Sequence, residues 1–197
     1  MLLAPSIKAI CFDAFGTLVD ITDKRRPFRR LLDNLEGDAR QSLQHRIMRE
    51  PLSLEDCLKE FGQKLPESLK EKLRADLAAE IASIKIRPQT EALWRLLRSQ
   101  GYKIGLCSNL ALDYGSPLLK TLPGVPDAQI LSYDTGHIKP EPQIYRLVCD
   151  MLGLATENIV FSGDTQLADV DGPKAFGMKA ELIDPFTIRV LGAKARP

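Results

Sequence analysis

Residues 10 to 20 read Ile-Cys-Phe-Asp-Ala-Phe-Gly-Thr-Leu-Val-Asp, a buried β-prone run that breaks at a Gly-Thr turn with one carboxylate, Asp13, at the break. In open parallel α/β sheets ligands gather outside the carboxyl ends of the strands, where strand order reverses, so an acid here stands where it can react. Asp is also common in turns for its side-chain hydrogen bonds, and this stretch alone admits both readings. Three later signals each fall just after a predicted strand or just before a helix. Ser108-Asn109 offers a hydroxyl and turn N–H groups to an anionic oxygen, or caps a helix. Lys139 precedes Pro140-Glu141-Pro142 at a helix start. A cation there opposes the positive helix end and needs an anion beside it, unless it is simply a solvated lysine. Gly163-Asp164, with Asp169 further on, supplies two more acids. Brought beside Asp13 they would repel unless a cation sat between them, and Mg²⁺ suits such hard oxygen donors. Taken singly, each of these acids reads as well as a helix cap.

The elements that must position these residues alternate. Ile7 to Phe12 is predicted as the first strand, followed by Lys103–Cys107, Ala128–Ser132, Asn158–Ser162 and Met178–Ile183. Helices are expected after Pro88, with Ala92, Leu93, Leu96 and Leu97 on one face, near Gly115–Leu122, over Pro142–Leu152 and around Asp171–Phe176. That order argues for an α/β fold, a Rossmann-like three-layer core with a mostly parallel sheet. Between Thr22 and Ile84 the chain is instead rich in Leu, Arg, Lys and Glu at helical spacing, punctuated by Pro27, Pro51 and Pro66. About three or four helices inserted after the first strand account for it. Residues 1–20 and 86–197 are therefore read as the core, and 21–85 as a small all-helical domain. Ala193 to Pro197 reads as a frayed tail.

Composition narrows the function. Lys+Arg total 27 against Asp+Glu 26, so no net field draws the chain to nucleic acid or an anionic membrane. No apolar run approaches the roughly 20 residues of a span, and the first residues lack the pattern of a signal peptide, so a cytoplasmic location is expected. Cys11, Cys57, Cys107 and Cys149 show no metal-binding spacing and read as reduced, mostly buried thiols.

The ordered set Asp13-Ala-Phe-Gly-Thr17, Ser108-Asn109, Lys139 and Gly163-Asp164 with Asp169 resembles the four motifs of the haloacid dehalogenase-like hydrolases, from about Ile7 to Asp184. The resemblance implies that Asp13 is a covalent nucleophile, that Ser108 binds the transferred group and that Lys139 steadies the charge. It further implies that Thr17 and Asn109 contact substrate, that the carbonyl of Phe15 joins Asp13, Asp164 and Asp169 around Mg²⁺, and that 21–85 is a cap domain that selects a small anionic substrate. A monomer or homodimer is expected.

One residue departs from the pattern. Two positions after the nucleophile the family's phosphatases carry an acid that protonates the leaving group, and here it is Phe15, which cannot. Such acid–base help is worth about 10² to 10⁴ in rate. Three accounts follow. The leaving group could be a halide, as in the family's dehalogenases, which carry an aromatic residue here but lack an acid at the position of Asp164. The chain could be a Mg²⁺-dependent phosphatase acting on a good leaving group or taking its acid from the cap, with His45 the candidate donor. It could also be a silent binder. Two acids in the metal motif outweigh one aromatic substitution, and the phosphatase is the favoured account. Of the basic cluster Lys24, Arg25, Arg26, Arg29 and Arg30, the residues expected to touch substrate are Arg25 and Arg26, although a solvated helix face explains such charges as well.

Overall fold

The computed structural model describes residues 3–194. Its strands are β1 (Ala9–Phe12), β2 (Val19–Ile21), β3 (Ile84–Ile86), β4 (Lys103–Ser108), β5 (Ala128–Leu131), β6 (Ile159–Gly163) and β7 (Lys179–Leu182). The helices are α1 (Pro27–Asp33), α2 (Gly37–Arg46), α3 (Leu54–Phe61), α4 (Glu67–Ala82), α5 (Thr90–Ser99), α6 (Leu112–Thr121), α7 (Ser132–Thr135), α8 (Pro142–Leu152), α9 (Gly172–Phe176) and α10 (Ile183–Lys194). A five-stranded sheet runs in the order β5-β4-β1-β6-β7, and every neighbouring pair in it is parallel. The chain builds outward from β1 through β4 to β5, then returns to the other side of β1 as β6. That reversal puts the carboxyl end of β1 at the crevice where such sheets hold ligands.

The alternation of side chains along β1 shows why the strand must be central. Ile10 and Phe12 join one apolar cluster and Ala9 and Cys11 join the other, all four fully buried. A strand covered on both faces has no polar side, which is why it reads as a continuous apolar run. On one face lie Leu93 and Leu97 of α5 with Phe186 and Val190 of α10; on the other lie Ile144, Tyr145 and Val148 of α8. The sheet is thus the middle of three layers, as expected, and the five core strands match their predicted positions to about two residues at either end.

The insertion between β2 and β3 carries α1 to α4 around its own core of Leu31, Leu43, Leu54, Cys57 and Leu73. Pro27 opens α1 and Pro66 caps the start of α4, both as proline's fixed φ favours; Pro51 instead precedes α3, which starts at a Ser53–Asp56 capping box. At the base of the insertion β2 and β3 pair antiparallel, Val19 opposite Ile86 and Ile21 opposite Ile84. This two-stranded ribbon goes beyond the sequence reading, because runs of three residues carry too little periodicity to register. Cys11, Cys57 and Cys107 are buried and Cys149 half-buried, all as free thiols.

Helix α10 was not expected either. Pro185 and Gly192 sit inside it and weaken its sequence signal. The predicted tail begins within this helix, and residues 195–197 lie outside the described residues. Tertiary packing supplies what local propensity lacks: Phe186 is fully buried and meets Phe12 edge-on at 5.8 Å. Replacing Phe186 by Ala is expected to cost about 3–5 kcal/mol, read as a lowered urea midpoint at unchanged slope. A loss below about 0.5 kcal/mol, the range of surface substitutions, would show that α10 does not belong to the core.

Candidate active site

Asp13 follows β1 directly, and its backbone N–H continues the ladder by donating to the Ser162 carbonyl at 3.0 Å. Its carboxylate is therefore aimed from a strand end that is fixed on both sides. Oδ1 accepts from the Lys139 ammonium at 2.7 Å and from the Ser108 hydroxyl at 3.1 Å. Among the described residues Oδ2 accepts only the Thr17 hydroxyl, at 3.5 Å. One oxygen is thus held while the other keeps lone pairs free to attack an electrophile or bind a cation.

Lys139 is the electrostatic centre of the group. Its ammonium also donates to Asp169 Oδ1 at 2.6 Å and lies 5.3 Å from the centre of the Phe161 ring, almost wholly buried. Burial works to lower its pKa, but the charge of Asp13 and its neighbours raises it instead, so the ammonium stays charged. This resolves the anomaly of a cation at a helix start, because two carboxylates compensate it. Its backbone is held as firmly: the Asn109 amide donates to the Lys139 carbonyl at 2.9 Å and accepts from the Lys139 N–H at 2.8 Å. Asn109 thus braces the lysine loop across the mouth of the sheet.

Asp164 and Asp169 come from beyond β6. Carboxylate oxygens of Asp13, Asp164 and Asp169 all lie within 4.8 Å of one another. Burial, with the charge of Asp13 beside it, raises the Asp164 carboxyl above its usual range. Burial raises that of Asp169 too, against the opposing pull of Lys139. Asp169 sits in a π-helical turn, Gln166–Asp171, and accepts the Thr165 N–H at 2.9 Å on its other oxygen. The Tyr145 hydroxyl pins the same turn by donating to the Ala168 carbonyl at 2.6 Å.

Two glycines make the space. A Cβ on Gly16, whose φ is +80°, would lie 2.2 Å from Asp164 Oδ2, and one on Gly163 would lie 2.4 Å from the Asp169 carboxyl carbon. Both glycines stand in the motifs as read from sequence, so the constraint was visible there without its cause.

Beside this acidic centre opens a cleft of about 280 Å³ between the insertion and the core. Phe15 forms part of its wall, with Phe28 and Ile47 from the insertion and Leu110 and Tyr114 from the core. Arg26 lines the cleft, whereas Arg25 is turned to Asp23 at 2.8 Å and Asp76 at 3.5 Å. His45 lies apart, exposed on a second cleft with Gln41 and Arg49. Sequence reasoning missed Glu80 and Tyr114, whose hydroxyl donates to Glu80 at 2.5 Å. They come from α4 and α6, and no motif joins them.

The model of one protein family, hydrolases of the haloacid dehalogenase-like type, matches residues 7–177. The chain belongs to that family. A phosphatase of Mycobacterium tuberculosis (strain CDC 1551 / Oshkosh) is 32% identical over 91 residues, a stretch covering 44% of this chain but only 41% of that relative's length. Among solved structures, a haloacid dehalogenase family phosphatase from Thermococcus onnurineus is 27% identical, with a TM-score of 0.59 over 88% of this chain and 85% of the other. A 2-haloacid dehalogenase from Pseudomonas syringae pv. tomato DC3000 superposes with a TM-score of 0.60 at 17% identity, over 88% and 85% of the two chains. The fold is therefore shared by both chemistries. Among the described residues no helix is long and apolar enough to cross a membrane.

Because Gly163 has an ordinary φ, its role is purely one of space. Gly163→Ala should push the Asp169 carboxylate aside and weaken divalent-cation binding by about 10- to 100-fold, measured by calorimetry. Unchanged affinity in a folded variant would remove Asp169 from the cation site.

Proposed function

We propose that the chain is a Mg²⁺-dependent phosphohydrolase acting on a small phosphorylated molecule, with Asp13 as covalent nucleophile. One observation carries the reading: three carboxylates from distant segments converge within 4.8 Å, and among the described residues Lys139 is the one ammonium bonded to them. Three negative charges against one positive leave a deficit that a dication matches, and the donors are all hard oxygens. Asp13, Asp164, Asp169 and the Phe15 carbonyl would hold the ion. When bound, it neutralises charge on the phosphoryl oxygens, which in phosphoryl transfer supplies much of the rate.

The chain's own groups do the rest. Lys139 and Ser108 fix Asp13 Oδ1, which leaves Oδ2 to attack phosphorus and form an aspartyl phosphate. In this reading the Ser108 and Thr17 hydroxyls, which donate to Asp13 in the resting site, would turn to the phosphoryl oxygens while Lys139 keeps Oδ1 fixed, and Asn109 positions Lys139. Residues 21–85 serve as a cap over the cleft, with Arg26 facing the anionic substrate. The convergence of acids at Asp164 favours this over haloacid hydrolysis, which needs no metal. The aromatic side chain of Phe15 is the observation on the other side.

The test is an assay of p-nitrophenyl phosphate, acetyl phosphate and 2-chloropropionate, each with Mg²⁺ and with EDTA. Phosphate release that EDTA abolishes is expected. Chloride release that survives EDTA would replace the reading with the dehalogenase one, and no turnover would leave a binding protein. Asp13→Asn should lose roughly 10⁴-fold in kcat; activity near wild type would remove Asp13 as nucleophile. Arg26→Ala should raise KM for the phosphate substrate with kcat unaltered, since it removes binding common to ground and transition states. An unchanged KM would take Arg26 out of the substrate site.

A further inference from the structure

The same cleft bears on what leaves the phosphorus, and this step rests on the phosphohydrolase reading above. Phe15, Phe28 and Tyr114 form an aromatic cluster on its wall, with Phe15 and Phe28 each 6.0 Å from the Tyr114 ring. Ile47, Leu110 and Met48 extend the apolar lining. The polar groups buried in this wall are already committed. Tyr114 donates to Glu80 Oε2 at 2.5 Å, and Glu80 Oε1 accepts the Arg26 N–H at 2.6 Å. Both Glu80 oxygens are thus engaged as acceptors, and the Tyr114 hydroxyl proton is engaged with them. The basic side chains of Lys24 and Arg26 stand exposed on the lining. At about 280 Å³ the cleft lies at the lower end of ligand pockets, with room for a ring-sized group.

We infer that the substrate is an aryl phosphate: a planar, apolar leaving group seated among Phe15, Phe28 and Met48, departing as a stabilised oxyanion because the aromatic wall it rests on, Phe15 above all, has no proton to give. Asp13 Oδ2 forms a bond to phosphorus as the bond from phosphorus to the aryl oxygen breaks, and that oxygen keeps the bonding pair. It takes its proton from bulk water after release. A water then attacks the aspartyl phosphate at phosphorus and the acyl oxygen–phosphorus bond breaks, which frees the Asp13 carboxylate; one of the water's protons stays with the inorganic phosphate and the other passes to bulk water, balancing the proton taken up by the aryl oxide. The aromatic ring at position 15 thus exchanges acid catalysis for apolar contact area, which suits only leaving groups that need no acid.

The experiment measures phosphate release with Mg²⁺ from dinitrophenyl, p-nitrophenyl, phenyl and n-propyl phosphate and from acetyl phosphate. It uses the wild type, Phe28→Leu and the half-exposed Met48→Ala. We expect kcat/KM to fall with each poorer leaving group, by about 10²-fold or more from p-nitrophenyl to n-propyl phosphate. We also expect both variants to raise KM for p-nitrophenyl phosphate by about 3-fold or more while KM for acetyl phosphate stays put. Similar rates for phenyl and n-propyl phosphate would overturn the inference by revealing a proton donor. Turnover of acetyl phosphate alone, or equal KM changes for both substrates, would overturn the aryl assignment, and in these cases the phosphohydrolase reading stands. No phosphate from any substrate would overturn both.

Discussion

The structure depends on one ammonium group placed among carboxylates. Lys139 Nζ lies 2.7 Å from Asp13 and 2.6 Å from Asp169, in a pocket from which water is almost wholly excluded. A buried lysine without partners would lose its proton, and two adjacent carboxylates without a cation would gain one. The charges of Asp13 and Asp169 keep the buried ammonium charged. Asp164 accepts the Thr165 hydroxyl at 3.3 Å but has no ion pair among the described residues, so the centre carries more carboxylates than cations. The sheet topology exists, in this sense, to bring β1, β4 and β6 side by side so that Asp13, Ser108 and the Asp164–Asp169 turn open onto the same crevice.

Space matters as much as charge. Gly16 and Gly163 leave room for the two outer carboxylates; Gly16 is required for its φ of +80° as well, Gly163 for space alone. The same crowding explains the consequence of Phe15. A side chain two residues past Asp13 must face the cleft mouth, where a carboxyl could reach a leaving group and a phenyl ring can only pack, here edge-on against Tyr114.

Much of this was legible in the sequence, for identifiable reasons. The central strands announce themselves because burial on both faces demands unbroken apolar runs, and the chemistry announces itself because strand-end acids, the Ser108-Asn109 turn and Lys139 sit at the breaks. What was hidden depends on partners distant in sequence. The ribbon of β2 and β3 is defined by pairing across the whole insertion. Helix α10 is held by Phe12, Leu93 and other core residues rather than by its own propensity. Glu80 and Tyr114 meet only because α4 folds back over α6. Asn109 lines the cleft, and what its motif position did not show is that its amide also braces the Lys139 backbone.

The insertion is held to the core by polar contacts as well as by packing, and their location is informative. Arg49, just past α2, grips Glu141 through two nitrogens and donates to the Gly136 carbonyl. Glu141 in turn accepts the Ile138 N–H, so the segment that carries Lys139 is tied to the insertion. On the other side of the cleft Glu80 links α4 to Tyr114 and to the Arg26 backbone. A half-exposed ion pair such as Arg49–Glu141 contributes little to stability, on the order of 1 kcal/mol or less. Its effect is positional: the insertion is tied to the core at both rims of the cleft, and one of those rims carries Lys139, which holds Asp13. One chain of contacts thereby runs from the insertion through Glu141 and the Ile138–Lys139 backbone to the acidic centre.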